Sequence, residues 1–251
     1  MLEIKNLNVI RQGKLILKNI DFSLGENQWL IIAGPNGAGK TTLVQAISQE
    51  IESQGDVLFE GNNLLRTPPR ELAKIFSVLT QRHDAGYSFS VEEVVRVGRY
   101  AWHERFSNTA DGDDEAVLSA LEATGMEKLR NRSILTLSGG ELQRTFLAQV
   151  FAQNARILLL DEAANHLDIP YQRQIFDLIT QWSKQPGKAV LSVVHDLIQA
   201  RSYGTHALLL NQGSCVAAGE IETVFSEENL KETYQMNVYE WIREKVNIWK
   251  G

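Results

Sequence analysis

Cysteine is nearly absent from this sequence of 251 residues, with Cys215 the only one. That excludes an internal disulfide and a thiolate zinc site, and a reducing compartment, the cytoplasm, is expected. Long apolar runs are missing as well. No stretch approaches the roughly 20 apolar residues that a membrane helix requires, so a membrane role needs a partner chain to supply the span. Basic residues are in deficit, with 25 Lys and Arg against 31 Asp and Glu and a net charge of −6. No global field therefore draws the chain toward nucleic acid, and no such partner is expected. The opening MLEIKNLNVI alternates apolar and polar residues and lacks the apolar core of a secretory signal. Heptads, low-complexity linkers and repeats of roughly 20 to 50 residues are missing too.

What is present is an ordinary globular mixture, 43% apolar and 22% charged. Leu2 to Leu7 and Ile20 to Leu24 read as half-buried strands, with a turn at Arg11 to Lys14, and suggest an antiparallel edge layer. Trp29 to Ala33, Ile75 to Leu79, Ile157 to Leu160 and Ala189 to Val194 are near-continuous apolar runs, as expected of parallel strands buried on both faces. Helical spacing follows the first run at Val44, Ile47 and Ile51, and returns at Ile175, Leu178, Ile179 and Trp182 behind Pro170. Ala207 to Leu210 and Ser214 to Ala217 flank NQG as a hairpin. The βα alternation predicts an α/β fold with a mainly parallel sheet.

Residues 81–153 differ, because strand signals vanish there and helix signals accumulate. Ser90 and Glu93 make a capping box ahead of Val91, Val94 and Val95, and Asp113 and Asp114 open a helix that Gly125 can close. The domain reading is a core of 1–80 and 154–238, an inserted helical sub-domain at 81–153, and a tail at 239–251.

The stretch GPNGAGKTT (Gly34, Pro35, Asn36, Gly37, Ala38, Gly39, Lys40, Thr41, Thr42) matches G-x-x-x-x-G-K-[ST] between an apolar run and a helix. This is the setting of a P-loop: glycines turn backbone N–H groups inward around phosphates, and the helix presents its positive end to the same anion. Lys40 would reach the β and γ phosphates and Thr41 would place its hydroxyl on Mg²⁺. Asp161, at the end of an apolar strand, can hold Mg²⁺ through its water shell, and Glu162 can accept the proton of an attacking water. His195 ends another apolar strand, where it either donates to a γ-phosphate oxygen or is structural; Asp196 reads as the next N-cap.

A second candidate cradle lies at LSGGE, Leu137 to Glu141. Ser138 and Glu141 form a capping box, but such a cap does not need Gly139 and Gly140. Two glycines in a first turn cost roughly 1 kcal/mol each relative to alanine, which points to close approach by another molecule.

A P-loop, Gln81 after a strand, LSGGE, LLLDE and His195 occur in the order found in ABC-transporter ATPases, which the chain resembles over nearly its whole length. The resemblance implies a P-loop NTPase core that takes ATP and Mg²⁺, in a head-to-tail homodimer with each ATP between one chain's P-loop and the other's signature helix. It implies that Ser138 and Gly140 contact the γ-phosphate across the interface, with Gly139 beside them, and that Asp168 lies at the dimer seam. Gln81 would link the magnesium site to the helical sub-domain, and His195 would be the switch histidine beside Lys40 and Glu162 in catalysis. It further implies two transmembrane permease subunits, an indirect link to a substrate-binding protein, and a place on the cytoplasmic face of the cell membrane.

The run YSFSVEEVVRVGRYAWH (Tyr87 to His103) and the ending ETYQMNV (Glu232 to Val238) resemble the importers of ferric siderophores, haem and cobalamin. By that resemblance Tyr87, Phe89, Arg99, Tyr100 and Trp102 either receive a coupling helix or cover the sub-domain's own core. Trp241 and Trp249 read as core residues of a terminal helix. The chain departs from the family at Ala163 and Ala164, usually Pro and then Thr or Ser, at Ala101, and in having no aromatic upstream to stack on adenine, where Arg11 either stacks its guanidinium instead or is a solvent-facing turn residue. The alternatives are an ABC ATPase of another transporter class, a soluble ABC protein of translation or chromosome maintenance, against which a single cassette without a coiled-coil insertion or basic excess speaks, and a non-hydrolysing nucleotide sensor, against which Glu162 and His195 speak.

Overall fold

A computed structural model describes residues 1–80, 88–103, 112–161 and 168–248. The chain forms two compact units, Met1–Leu65 with Leu191–Gly251, and Arg66–Val190.

The first unit opens with strands β1 (Leu2–Arg11) and β2 (Lys14–Leu24), paired antiparallel. Gln12 and Gly13, both at positive φ, make the tight turn between them. Both strands are longer than their apolar alternation suggests, and the reason is a bulge in each. Leu2 and Ile4 are buried, then the inward phase skips to Leu7 and Val9, with Asn6 at φ 50° between them; Asn19 at φ 45° performs the same slip between Leu17 and Ile20. An extra residue per bulge moves every later side chain to the other face, so the core-facing set survives only because both strands slip. The layer also includes β4 (Gln54–Phe59) and β5 (Asn62–Asn63), in the order β2-β1-β4-β5. Between the two pairs, the fully buried β3 (Trp29–Ala33) leads into α1 (Lys40–Ile47). That helix stops short of Ile51, because Ser48 caps it and Gln49 turns to φ 60°.

The second unit holds α2 (Pro69–Ile75), β6 (Phe76–Thr80), α3 (Val91–Val97), α4 (Asp113–Ala123), α5 (Gly139–Gln153), β7 (Ile157–Asp161) and α6 (Ile169–Ser183). Ile75 closes α2 rather than opening the strand, and β6 and β7 run parallel from Phe76↔Ile157 to Thr80↔Asp161. The capping box at Ser90 and Glu93 forms, with Glu93 N–H donating to Ser90 Oγ at 3.2 Å and Ser90 N–H to Glu93 Oε2 at 2.7 Å. Val91, Val95, Val117, Leu121, Met126 and Ala148 make a core of their own among the helices.

Strand β8 (Ala189–Val193), buried throughout, carries the chain back into the first unit. There follow α7 (Leu197–Tyr203), the antiparallel hairpin β9 (His206–Asn211) and β10 (Ser214–Glu220), and the helices α8 (Ile221–Val224), α9 (Glu227–Tyr234) and α10 (Val238–Ile248). β3 and β9 pair parallel, from Leu30↔His206 to Ala33↔Leu209. Trp29, almost fully buried, donates its indole N–H to Ser192 Oγ at 2.8 Å and so satisfies its one polar atom. Among the described residues, no helix is long and apolar enough to cross a membrane.

Candidate functional site

The glycine-rich loop leaves β3 at Gly34, whose φ of 144° and closeness to the Leu210 carbonyl leave no space for a side chain. Ala38 N–H closes the loop on Pro35 O at 3.2 Å, and Gly39, at φ 102°, is the N-cap of α1. That helix has no side-chain cap and no acidic residue in its first turn, which suits an end meant for an external anion. A Cβ on Gly37 would meet nothing within 4 Å, so the loop's outer face is open to a ligand. Lys40 is only 6% exposed, and its ammonium donates to Gly34 O at 2.8 Å and Pro35 O at 3.0 Å. A buried cation held by its own loop is a charge of the kind that suits an anion.

Tyr234, the last residue of α9, belongs to the same neighbourhood, which its sequence does not announce. Burial pushes its phenol above the ordinary range, and the Gly34 N–H offsets part of that rise. The segment ETYQMNV stood out by resemblance only, because nothing in its spacing says which strand-end loop it will reach.

His195 lies in the same unit, exposed just beyond β8, and Asp196 caps α7 by accepting from Ile198 N–H at 2.8 Å and Gln199 N–H at 3.2 Å. In the second unit, Asp161 is the half-buried last residue of β7. Asp168 stands exposed at the N-cap position of α6 without capping it. Gln81 and Glu162 fall outside the described residues, as do Tyr87, Ala163, Ala164 and Trp249. No cluster of three or more His, Cys, Asp or Glu gathers among the described residues. Thr41 in the first unit and Asp161 in the second each carry an oxygen donor of the kind Mg²⁺ takes, an ion that keeps several waters and leans on substrate phosphates rather than on a protein cage.

At the second cradle, Ser138 N–H donates to Glu141 Oε2 at 2.7 Å and Glu141 N–H to Ser138 Oγ at 3.3 Å. The hydrogen bonds from the Ser138 backbone, then from its hydroxyl, hold the Glu141 carboxyl below the usual carboxylate range. A Cβ on Gly139 would meet nothing, whereas one on Gly140 would lie 2.7 Å from the ring of Tyr171.

The aromatic and basic set of the helical segment divides. Phe89 and Tyr100 are exposed, Tyr100 at 75%. Arg99 is buried, with Nε donating to Asp113 Oδ1 at 2.8 Å and Nη1 to Ala152 O at 3.0 Å, while Trp102 Nε1 donates to Gln153 O at 2.7 Å. Asp113 thus opens α4 as expected but is spent on Arg99 and His103. The core reading fails for Trp241, which is 47% exposed on α10 with the Lys245 ammonium 5.5 Å from its ring centroid. Arg11 is exposed at the β1–β2 turn.

Residues 17–165 match the family model described as ABC transporter. Ferric enterobactin transport ATP-binding protein FepC of Escherichia coli (strain K12) is 33% identical over 220 residues, which are 87% of this chain and 81% of FepC. Hemin import ATP-binding protein HmuV of Myxococcus xanthus (strain DK1622) is 38% identical over 250 residues, 96% of this chain and 92% of HmuV. ABC transporter ATP-binding protein YvrA of Bacillus subtilis (strain 168) is 36% identical over 225 residues, 89% of this chain, but the match spans only about half, 51%, of YvrA. In fold, the chain is similar to the ADP conformation of MJ1267, an ATP-binding cassette of an ABC transporter, with a TM-score of 0.81 and 22% identity over 93% of this chain and 97% of that one. With a family model matched over more than half its length and relatives above 30% identity along most of theirs, the chain belongs to the ABC transporter family, among its ATP-binding subunits.

Proposed function

We propose that the chain binds and hydrolyses ATP to energise an importer of a metal chelate, a ferric siderophore, haem or cobalamin. The observation that carries the nucleotide part is the loop itself: Lys40 buried on the Gly34 and Pro35 carbonyls, beneath a helix end with neither cap nor acid. Relatives that carry ferric enterobactin or hemin in their names support the cargo class.

In this reading Gly34 to Thr42 hold the phosphates, Thr41, Gln81 and Asp161 serve Mg²⁺, and the ion's contribution is to neutralise charge on the β and γ phosphates. Glu162 takes the proton from the attacking water, and His195 donates to the γ-phosphate. Ser138, Gly139 and Gly140 of one chain meet the nucleotide of a second copy, with Asp168 at the seam, so ATP binding closes a homodimer and hydrolysis loosens it. Residues 81–153, as a helical sub-domain within a core of 1–80 and 154–238, receive a coupling helix from a permease subunit, so that the homodimer sits under two permease subunits at the cytoplasmic face of the membrane; a substrate-binding protein acts through those subunits. The exposed Phe89 and Tyr100 support that docking.

The test is to purify the chain with its permease in lipid and measure ATPase activity with a binding protein loaded with each chelate. Stimulation by one class of metal chelate is the expected result. Stimulation by none, or a chain that captures no permease, overturns the importer reading. Glu162→Gln is expected to keep ATP binding and slow turnover at least a hundredfold; near-normal turnover removes Glu162 as the base.

A further inference from the structure

The two glycines of the second cradle do different work. Gly139 is exposed, and a Cβ there would reach nothing within 4 Å. Gly140 is buried, and a Cβ there would stand 2.7, 2.9 and 3.1 Å from Cδ1, Cε1 and Cγ of Tyr171. Neither residue is at positive φ, so backbone conformation does not require glycine at either place. Gly140 is required by space, and the occupant of that space belongs to the same chain.

Tyr171 is the third residue of α6, whose N-cap position is Asp168. A second contact lies one turn further along both helices, where Arg144 Nη1 donates to Gln174 Oε1 at 3.1 Å. The first turns of α5 and α6 are therefore joined at two successive levels, by a ring against a glycine and by a hydrogen bond. Tyr171 nevertheless remains 39% exposed, so core burial does not account for its place. A glycine in a helix interior costs about 1 kcal/mol against alanine, and the ring fills the space that this glycine leaves.

The geometry points to Tyr171 as a positioning residue that locks the N-terminal turn of α5, with its exposed Ser138 and Gly139, to the start of α6 at Asp168. This rests on the reading that both segments face a second copy of the chain across ATP. The two parts of that face then travel together: a shift at Asp168 is passed through the ring to the phosphate-facing turn. Tyr171 itself touches no nucleotide in this scheme.

The experiment uses the full chain carrying Glu162→Gln, and measures melting temperature, ATP affinity of the monomer and ATP-driven dimerisation by analytical ultracentrifugation. Tyr171→Phe is expected to match the parent in all three. Tyr171→Ala is expected to keep ATP affinity within twofold and to weaken dimerisation at least tenfold. Gly140→Ala is expected to lower the melting temperature, and Gly140→Ala with Tyr171→Ala to recover most of that loss, since the clash needs both partners. Equal dimerisation of Tyr171→Ala and parent, or additive effects of the two alanines on melting, overturns the proposal alone. A parent that stays monomeric with saturating ATP overturns the seam reading and this proposal with it.

Discussion

Gly34, the first residue of the glycine-rich loop, lies so close to the Leu210 carbonyl that a Cβ has no room there, and its φ of 144° favours glycine. Gly34→Ala is therefore expected to shift the root of the loop, lowering the melting temperature and weakening ATP binding at least tenfold. Parent-like affinity in a titration with a fluorescent ATP analogue would show that the loop tolerates a side chain at its root.

Ser138→Arg is expected to leave ATP binding intact and abolish ATP-driven closure. The residue is exposed at the N-cap of α5, so a bulky cation there need not disturb the fold, but it would occupy the place proposed for the second copy's phosphate. Loss of the cap itself costs about 1 kcal/mol, which a modest drop in melting temperature would register. Normal hydrolysis and dimerisation by this variant would mean that the second cradle has been misread.

Asp113→Ala strands the buried guanidinium of Arg99, whose side chain is 8% exposed against 4% for the carboxylate. Removing one partner of such a pair costs about 3–5 kcal/mol, whereas replacing both by apolar groups is often close to neutral. Urea denaturation should show the single variant strongly destabilised and Arg99→Met with Asp113→Leu largely recovered. A single variant as stable as the parent would contradict the buried pairing.

Lys188 supplies a pH test. Its ammonium donates to Asn154 O, Asn154 Oδ1 and Ala155 O, closing the C-terminal end of α5, and stacks over Trp182 at 5.1 Å. Burial, with a smaller push from Arg156, lowers its pKa to about 8. Below that value lysine is charged in both folded and unfolded chains and the burial penalty is fully present. Between pH 8 and the ordinary lysine range the unfolded chain binds more protons, so stability rises with pH. Relative to Lys188→Met, the parent should gain about 1 to 2 kcal/mol across that window, read from urea midpoints at successive pH values. A flat difference would mean that the three acceptors hold the proton against burial.

These residues also mark where the sequence was legible. The P-loop, the capping boxes at Ser90 and Ser138 and the cap at Asp196 were readable because each is a local pattern, complete within a few residues. Sequence alone leaves Arg99 between a coupling-helix contact and the sub-domain's own core, because its partner Asp113 is 14 residues away and is itself a plausible helix-opening acid; only packing reveals the pair. The double glycine reads as a single signal of close approach, although one of its members answers to Tyr171, 31 positions downstream. Ile51 continued a helical spacing that Gln49 had already ended by turning left-handed. Period alone carries no record of such a stop.

The turn at Gln212 and Gly213 reads as an outward hairpin tip, yet Gly213 is buried. Its N–H donates to Ala38 O at 3.1 Å, its carbonyl accepts from Lys18 N–H at 2.8 Å, and a Cβ there would run into Ile16 O. An epitope or affinity tag spliced into NQG would therefore cut into the footing of the glycine-rich loop. Labels for this chain belong on the exposed face of α10.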